Sequence, residues 1–97
     1  MEDAYRLADD ARVRSAWDDA LERGGEMLVL AGNDVSLLSP VATEAVLAAR
    51  QGITVASLGD HLVREFGEPA DGDIGAMVRV LIDALIGRGV LSVEAGP

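Results

Sequence analysis

The stretch EMLVLAGNDVSLLSP, residues 26–40, decides the fold of this chain. Residues 26–30 are a short apolar run, too brief for a helix, and residues 35–38 are a second such run. Between them, residues 32–34 (Gly-Asn-Asp) favour a tight reversal of the chain. Ser39-Pro40 then predicts a helix start, because serine caps free backbone N–H groups and proline fits the first helical position. The stretch therefore predicts a β-hairpin that leads directly into a helix.

Three helices are predicted after this hairpin. The first begins at Ser39-Pro40 and ends at Gly52, a residue that readily adopts the left-handed backbone of a helix end. Thr54 can cap a second helix over Val55–Phe66, in which apolar side chains recur every three or four residues. Asp73 can cap a third helix over residues 74–87. A short extended segment at residues 90–93 follows.

The part of the chain before the hairpin allows two interpretations. Residues 12–17 alternate weakly between apolar and polar side chains, which suits a strand. Residues 15–24 (SAWDDALERG) also have a helix cap, early acids and a closing Arg-Gly, which are helix signals. We prefer the strand, and the helix remains open at this stage. Residues 1–11 are polar and acidic and are expected to be a loosely ordered arm.

These elements predict a small α+β domain over residues 12–93, with residues 94–97 as a tail. Its short N-terminal antiparallel strands come first and three α-helices follow. Because two or three strands are not stable alone in water, the helices must cover one face of the sheet. A winged-helix-like packing is the most economical arrangement of these parts.

Composition narrows the class of function. The chain has 97 residues, a formal net charge of −9 and no cysteine, and all eight of its basic residues are arginine. Disulfides and thiolate chemistry are therefore excluded, and an acidic chain with dispersed arginines repels a phosphate backbone. The sequence has no apolar run of about 20 residues and no signal-peptide pattern at its start. We expect a cytoplasmic protein that binds neither nucleic acid nor membrane.

No residue pattern indicates catalysis or a cofactor. His61 is the single histidine, and one imidazole without carboxylate partners does not make a metal site. The adjacent acids Asp9-Asp10 and Asp18-Asp19 have diverging side chains and suit solubility better than a catalytic pair. The sequence also lacks the glycine-rich loop and lysine of a phosphate site. We expect a binding protein rather than an enzyme.

The order and type of these segments resemble the PqqD-like proteins, also called RiPP recognition elements. The resemblance covers about residues 26–93 and rests on patterns of residue class. The segments that carry it are Glu26–Leu30, Val35–Leu38 with Ser39-Pro40, Gly52–Val55, Arg64–Gly67 and Leu85–Leu91.

This resemblance implies a peptide chaperone with no enzymatic activity of its own. Proteins of the family resemble winged-helix domains, with a three-stranded sheet ahead of three helices. The leader segment of a ribosomally synthesised precursor peptide adds to that sheet as a further strand, in a groove lined by the third helix. The domain then presents the precursor to a modifying enzyme such as a radical SAM enzyme, a cyclase or a leader peptidase.

Carried onto this chain, the resemblance implies particular binding residues. The receiving strand would consist of Val35, Ser36, Leu37 and Leu38. The predicted core stripe of the third helix consists of Ile74, Met77, Val78, Leu81 and Leu85. We expect Ile82 and Ile86 to form the groove floor, because both lie off this stripe. Arg79 and Asp83 would flank the groove, or would form an ordinary ion pair on the helix surface.

Two alternatives remain at this stage. A winged-helix DNA-binding regulator is compatible with the predicted fold, although the charge of the chain argues against it. An open edge strand could also pair with the sheet edge of a second copy and give a homodimer.

Overall fold

The computed structural model describes residues 7–94 of the protein. These residues form six strands and three helices. In chain order they are β1 (Arg12–Ser15), β2 (Asp19–Arg23), β3 (Glu26–Ala31), β4 (Asp34–Leu38), α1 (Pro40–Ala48), β5 (Ile53–Thr54), α2 (Val55–Phe66), α3 (Ile74–Gly87) and β6 (Leu91–Val93).

Strands β2, β3 and β4 form an antiparallel meander, here called the hairpin sheet. Both of its turns contain two residues and depend on glycine. Gly24 and Gly25 have φ values of 61° and 84°, which suits a type I′ turn, whereas Gly32 (φ 62°) precedes Asn33 at a negative φ, which suits type II′. Both turn types match the twist of the paired strands, so the register of the sheet is fixed locally.

A second sheet joins distant parts of the chain in the order β5–β1–β6. Strand β1 pairs antiparallel with both neighbours, and Glu94 extends the pairing by donating its backbone N–H to the Arg12 carbonyl. The Glu94 carboxylate accepts bonds from Arg14 (2.8 Å) and Arg12 (3.1 Å). These bonds, that from Arg14 foremost, hold the pKa of Glu94 below its usual value.

Each helix begins at the cap that the sequence predicts. The side chains of Ser39, Thr54 and Asp73 accept hydrogen bonds from the backbone N–H groups of Ala42, Ser57 and Ala76. These bonds satisfy donors that the first turn of a helix leaves free. The α+β class, with short antiparallel strands followed by three helices, is therefore confirmed.

The N-terminal third of the chain settles the open choice for residues 15–24. Residues 19–23 form strand β2, and residues 16–18 separate it from β1, so this region is strand and not helix. Trp17 lies between the two strands and packs against the core. The carbonyls of Asp9 and Ala11 accept bonds from α2, so residues 7–11 are held against the domain. The rest of the predicted arm, residues 1–6, and residues 95–97 of the predicted tail lie outside the described residues.

One hydrophobic core joins the inner face of the hairpin sheet to the helices and to β1 and β6. Val29 and Val46, from β3 and α1, are at most 1% exposed. From α2 and α3, Leu58, Leu62, Val78 and Ile82 are buried to the same degree. No helix among residues 7–94 is long and apolar enough to cross a bilayer.

Candidate binding site at the edge of the hairpin sheet

Strand β4 lies at an edge of the hairpin sheet. Among residues 7–94 it pairs with β3 and with no other strand. The sequence-based expectation of an open strand border at residues 35–38 therefore agrees with the sheet order. An edge strand of this kind presents free backbone groups that can pair with an added chain.

The hairpin register identifies which backbone groups of β4 face outward. Ala31 and Asp34 flank the two-residue turn, so pairing alternates from there along the strand. Ser36 and Leu38 direct their backbone groups toward β3, whereas Val35 and Leu37 direct theirs away from it. No other backbone bond within residues 7–94 uses these outward groups. The edge thus offers two N–H donors and two carbonyl acceptors.

The opposite edge of the same sheet, formed by β2, is less open. Its residues that face away from β3 are Ala20 and Glu22, by the same alternation. The Ala20 N–H already donates to the Asp19 carboxylate at 2.8 Å. Arg23 adds another exposed charge to this strand. Charged side chains and a capped donor are typical of an edge protected against strand pairing, so β4 is the more receptive edge.

The side chains of β4 alternate between two environments. Ser36 and Leu38 point inward and are buried, while Val35 and Leu37 are 63% and 66% exposed. A peptide strand added to this edge would place every second one of its own side chains beside Val35 and Leu37. Its other side chains would point toward the helices.

The outward side of the hairpin sheet is apolar at its centre, with the charged residues Asp19, Arg23 and Glu26 toward its ends. We call the large hydrophobic side chains on this side the outer face. They lie in register across the three strands, at Leu21, Leu28, Leu30, Val35 and Leu37, and each is between 39% and 66% exposed. Two shallow cavities of 330 and 240 Å³ lie along this face, and both are lined by Leu21 and Leu28.

The sequence-based expectation for Ile82 is wrong. Ile82 is 0% exposed and belongs to the core, whereas it was expected to lie off the core stripe of α3 and to form a groove floor. The expected stripe member Leu81 is only partly buried. The helix is rotated so that Val78, Ile82 and Leu85 face the core. A peptide bound at the surface therefore does not reach Ile82.

Arg79, another residue of α3 expected at the groove, is engaged elsewhere. Arg79 donates to the Leu7 carbonyl (2.8 Å) and pairs with Asp9 (2.6 Å), so it fastens the N-terminal segment and forms no ion pair with Asp83. Asp83 is exposed, and Ile86 is partly buried against the core.

A residue that the sequence analysis missed, Arg88, does reach β4. It follows α3 directly, and its guanidinium donates to the Ser36 hydroxyl at 3.3 Å. Arg79 lies about 13 Å from it along the helix, at roughly 1.5 Å per residue. Within the described part of the chain Arg88 has no carboxylate within ion-pair distance. Nothing in the local sequence indicates this contact, because it joins residues 52 positions apart.

Between residues 7 and 94, no three side chains of the His, Cys, Asp and Glu types come together as metal ligands do. His61 Nε2 lies 2.7 Å from Glu44 Oε2 and links α2 to α1. The β4 edge has free backbone groups, and the outer face has exposed apolar side chains, so these two surfaces are considered below.

Comparison with known proteins adds no further constraint on this site. The chain matches no family model, no curated protein and no solved structure.

Proposed function

We propose that this chain binds an extended peptide by strand addition along the free edge of β4. The peptide is the leader segment of a ribosomally synthesised precursor, which the chain presents to a modifying enzyme without chemistry of its own. The observation that carries the proposal is the set of outward backbone groups of Val35 and Leu37, which have no partner within residues 7–94. The leader and the enzyme enter through the resemblance to PqqD-like proteins.

The energetics suit a reversible complex. Two donors and two acceptors allow four backbone hydrogen bonds, which contribute roughly 2–6 kcal/mol at about 0.5–1.5 kcal/mol each. Ordering the peptide offsets part of this gain. Apolar side chains of the peptide that pack beside Val35 and Leu37 add to it, up to about 1.5–3 kcal/mol for each one fully buried. The total is consistent with micromolar binding, which corresponds to about −8 kcal/mol.

Arg88 offers a polar contact to the side chains of the bound peptide that point toward the helices. Its guanidinium already touches Ser36 from the helix side of β4. A peptide side chain that points toward the helices next to Ser36 would meet this cation. The site therefore suits a peptide with aliphatic side chains at alternate positions and a hydrogen-bond acceptor between them.

A pair of proline variants tests the edge directly. Val35→Pro removes an outward N–H of β4, and Ala20→Pro removes an outward N–H of β2, while the ladder to β3 stays intact in both. The probe is a set of synthetic 15-residue peptides that tile the short reading frames beside the gene. Binding is followed by amide shifts of the labelled full chain.

We expect a binding peptide to shift the amides of Val35 and Leu37, and Val35→Pro to weaken it by about tenfold or more. Ala20→Pro should bind as the unaltered chain does. Equal weakening by both prolines, or binding that leaves the β4 amides unshifted, would contradict strand addition at β4.

A further inference from the structure

The outer face of the hairpin sheet has no role in strand addition along β4, apart from its margin at Val35 and Leu37. Its centre is the row formed by Leu21 on β2 and Leu28 on β3, which are directly opposite each other. These side chains are 61% and 42% exposed. Apolar residues that point outward on three adjacent strands are unusual for a sheet face left in water, where polar side chains are the rule.

We propose that the outer face binds a second copy of this chain, so that two hairpin sheets pack face to face across a two-fold axis. The axis runs parallel to the sheets and perpendicular to their strands. Each β2 then lies over the β2 of the other copy in the opposite direction. A two-fold interface requires one patch that complements itself, and two features of this face meet that requirement.

The first feature is the order of charges along β2. On β2, the side chains that point to the same side as the outer face are those of Asp19, Leu21 and Arg23. An acid and a base therefore lie on either side of a leucine. Reversing the strand about Leu21 brings Asp19 of each copy to the end where the other copy has Arg23. Arg23 forms no ion pair with any other residue in the described range, so it is available for this contact.

The second feature is the surface shape of the outer face. Leu21 and Leu28 form a ridge with a shallow cavity on either side, one of 330 Å³ toward Leu30 and Val35 and one of 240 Å³ toward Glu26 and Arg23. A small shift along the strands seats the ridge of each copy in a cavity of the other. This is the interdigitation seen between the packed sheets of β-sandwiches.

The size of the face sets the strength of the dimer. Three strands spaced by about 4.8 Å and five residues at about 3.4 Å give a footprint of roughly 14 by 17 Å. A stable interface buries about 800 Å² on each partner, so the pairing is weak and depends on protein concentration. The same axis places both β4 edges on one side of the dimer, about 10 Å apart. Under the proposed function, two peptides would then bind side by side.

Sedimentation of the full chain from about 10 µM to 1 mM tests the proposal, over the range that a small interface implies. The average mass should rise from one chain toward two. Leu28→Thr replaces an exposed aliphatic side chain with a smaller, more polar one that is β-branched and therefore suits a strand, and it should weaken dimerisation by about tenfold. Val80→Thr is the matched control, because Val80 is 70% exposed on α3, away from the face, and should leave dimerisation unchanged.

Charge exchange on β2 tests the two-fold geometry. Asp19→Arg and Arg23→Asp should each weaken the dimer, because each places like charges opposite one another, and the double variant should restore it. Circular dichroism shows whether every variant is folded. A chain that stays monomeric at 1 mM would overturn the proposal, as would failure of the double variant to restore dimerisation. A dimer that survives Leu28→Thr but is lost in Val35→Pro would place the contact at the β4 edge instead. Peptide binding by Leu28→Thr reports on the proposed function separately.

Discussion

Ile82 provides the sharpest test of how α3 packs beneath the candidate site. Ile82→Ala removes three carbon atoms from a side chain that is 0% exposed. The lost burial of these carbons lowers the free energy of unfolding by about 0.8 kcal/mol for each carbon. The cavity left behind raises the total loss to about 2–5 kcal/mol. A domain of this size has a free energy of unfolding of roughly 5–15 kcal/mol. The variant should therefore fold but with a substantial loss of stability.

Urea unfolding measured by the fluorescence of Trp17, the single tryptophan, follows this loss. With a slope of about 1–3 kcal/mol per molar, a loss of about 3 kcal/mol lowers the midpoint by roughly 1–3 M. Val80→Ala is the matched control on the same helix, since Val80 is 70% exposed and its truncation should change stability by no more than about 0.5 kcal/mol.

The same position separates a core role from a binding role. Ile82→Val should cost about 0.5–1.5 kcal/mol and leave the affinity for a bound peptide unchanged. Ile82→Glu should prevent folding, because it buries a charge without a partner. An Ile82→Ala variant as stable as Val80→Ala, or a folded Ile82→Glu variant that loses peptide binding, would refute the packing described for α3.

Three further results are expected. Amide hydrogen exchange along β4 should alternate, fast at Val35 and Leu37 and slow at Ser36; uniform protection of all three in the free protein would mean that the edge is covered. Glu94→Gln should remove a part of the pH dependence of stability. The folded pKa of Glu94 lies below its unfolded value near 4.5, so its carboxylate stabilises the fold above that pH, and this stability is lost as the pH falls through the folded pKa. Identical acid unfolding curves for both proteins would contradict this. Trp17→Phe removes an indole N–H that is buried without an acceptor among the described residues. The gain from removing this donor offsets part of the packing lost with the smaller ring, so the free energy of unfolding should change by only about 1 kcal/mol, as measured by circular dichroism.

The features predicted well from the sequence are those fixed by neighbouring residues. The bounds of α2 and α3 agree with the predicted helices, and the side chains of Ser39, Thr54 and Asp73 cap the helices as expected. Caps and tight turns depend on residues within three or four positions of each other, so local patterns carry them.

The sequence of α3 does not indicate which side of the helix faces the core. Apolar residues occur on nearly all sides of this helix, so the 3.6-residue period does not single out one face. Ile82 is buried and Val80 is 70% exposed, although both are β-branched and apolar. Only the packing partners decide between them, and those lie far away in the sequence.

Long-range contacts explain the remaining differences. The pairing of β1 with β5 and β6 joins residue 13 to residues 53 and 93, and no local signal indicates it. The contact of Arg88 with Ser36 is of the same kind. Arg79 was expected beside a groove, but its position on α3 places it against residues 7–9 instead.

The central strand of the hairpin sheet has the composition of a strand that is covered on both faces. Strand β3 reads Met-Leu-Val-Leu-Ala over residues 27–31, an unbroken apolar run typical of strands that are buried on both faces. Within the described chain only one face is covered, by the helices, and every second residue of the run faces outward. Folding of this chain alone requires only the inner residues to be apolar. The two proposals above account for both features: an added peptide would pair with the β4 edge, which has no second partner strand within residues 7–94, and a second copy would cover the outer leucines.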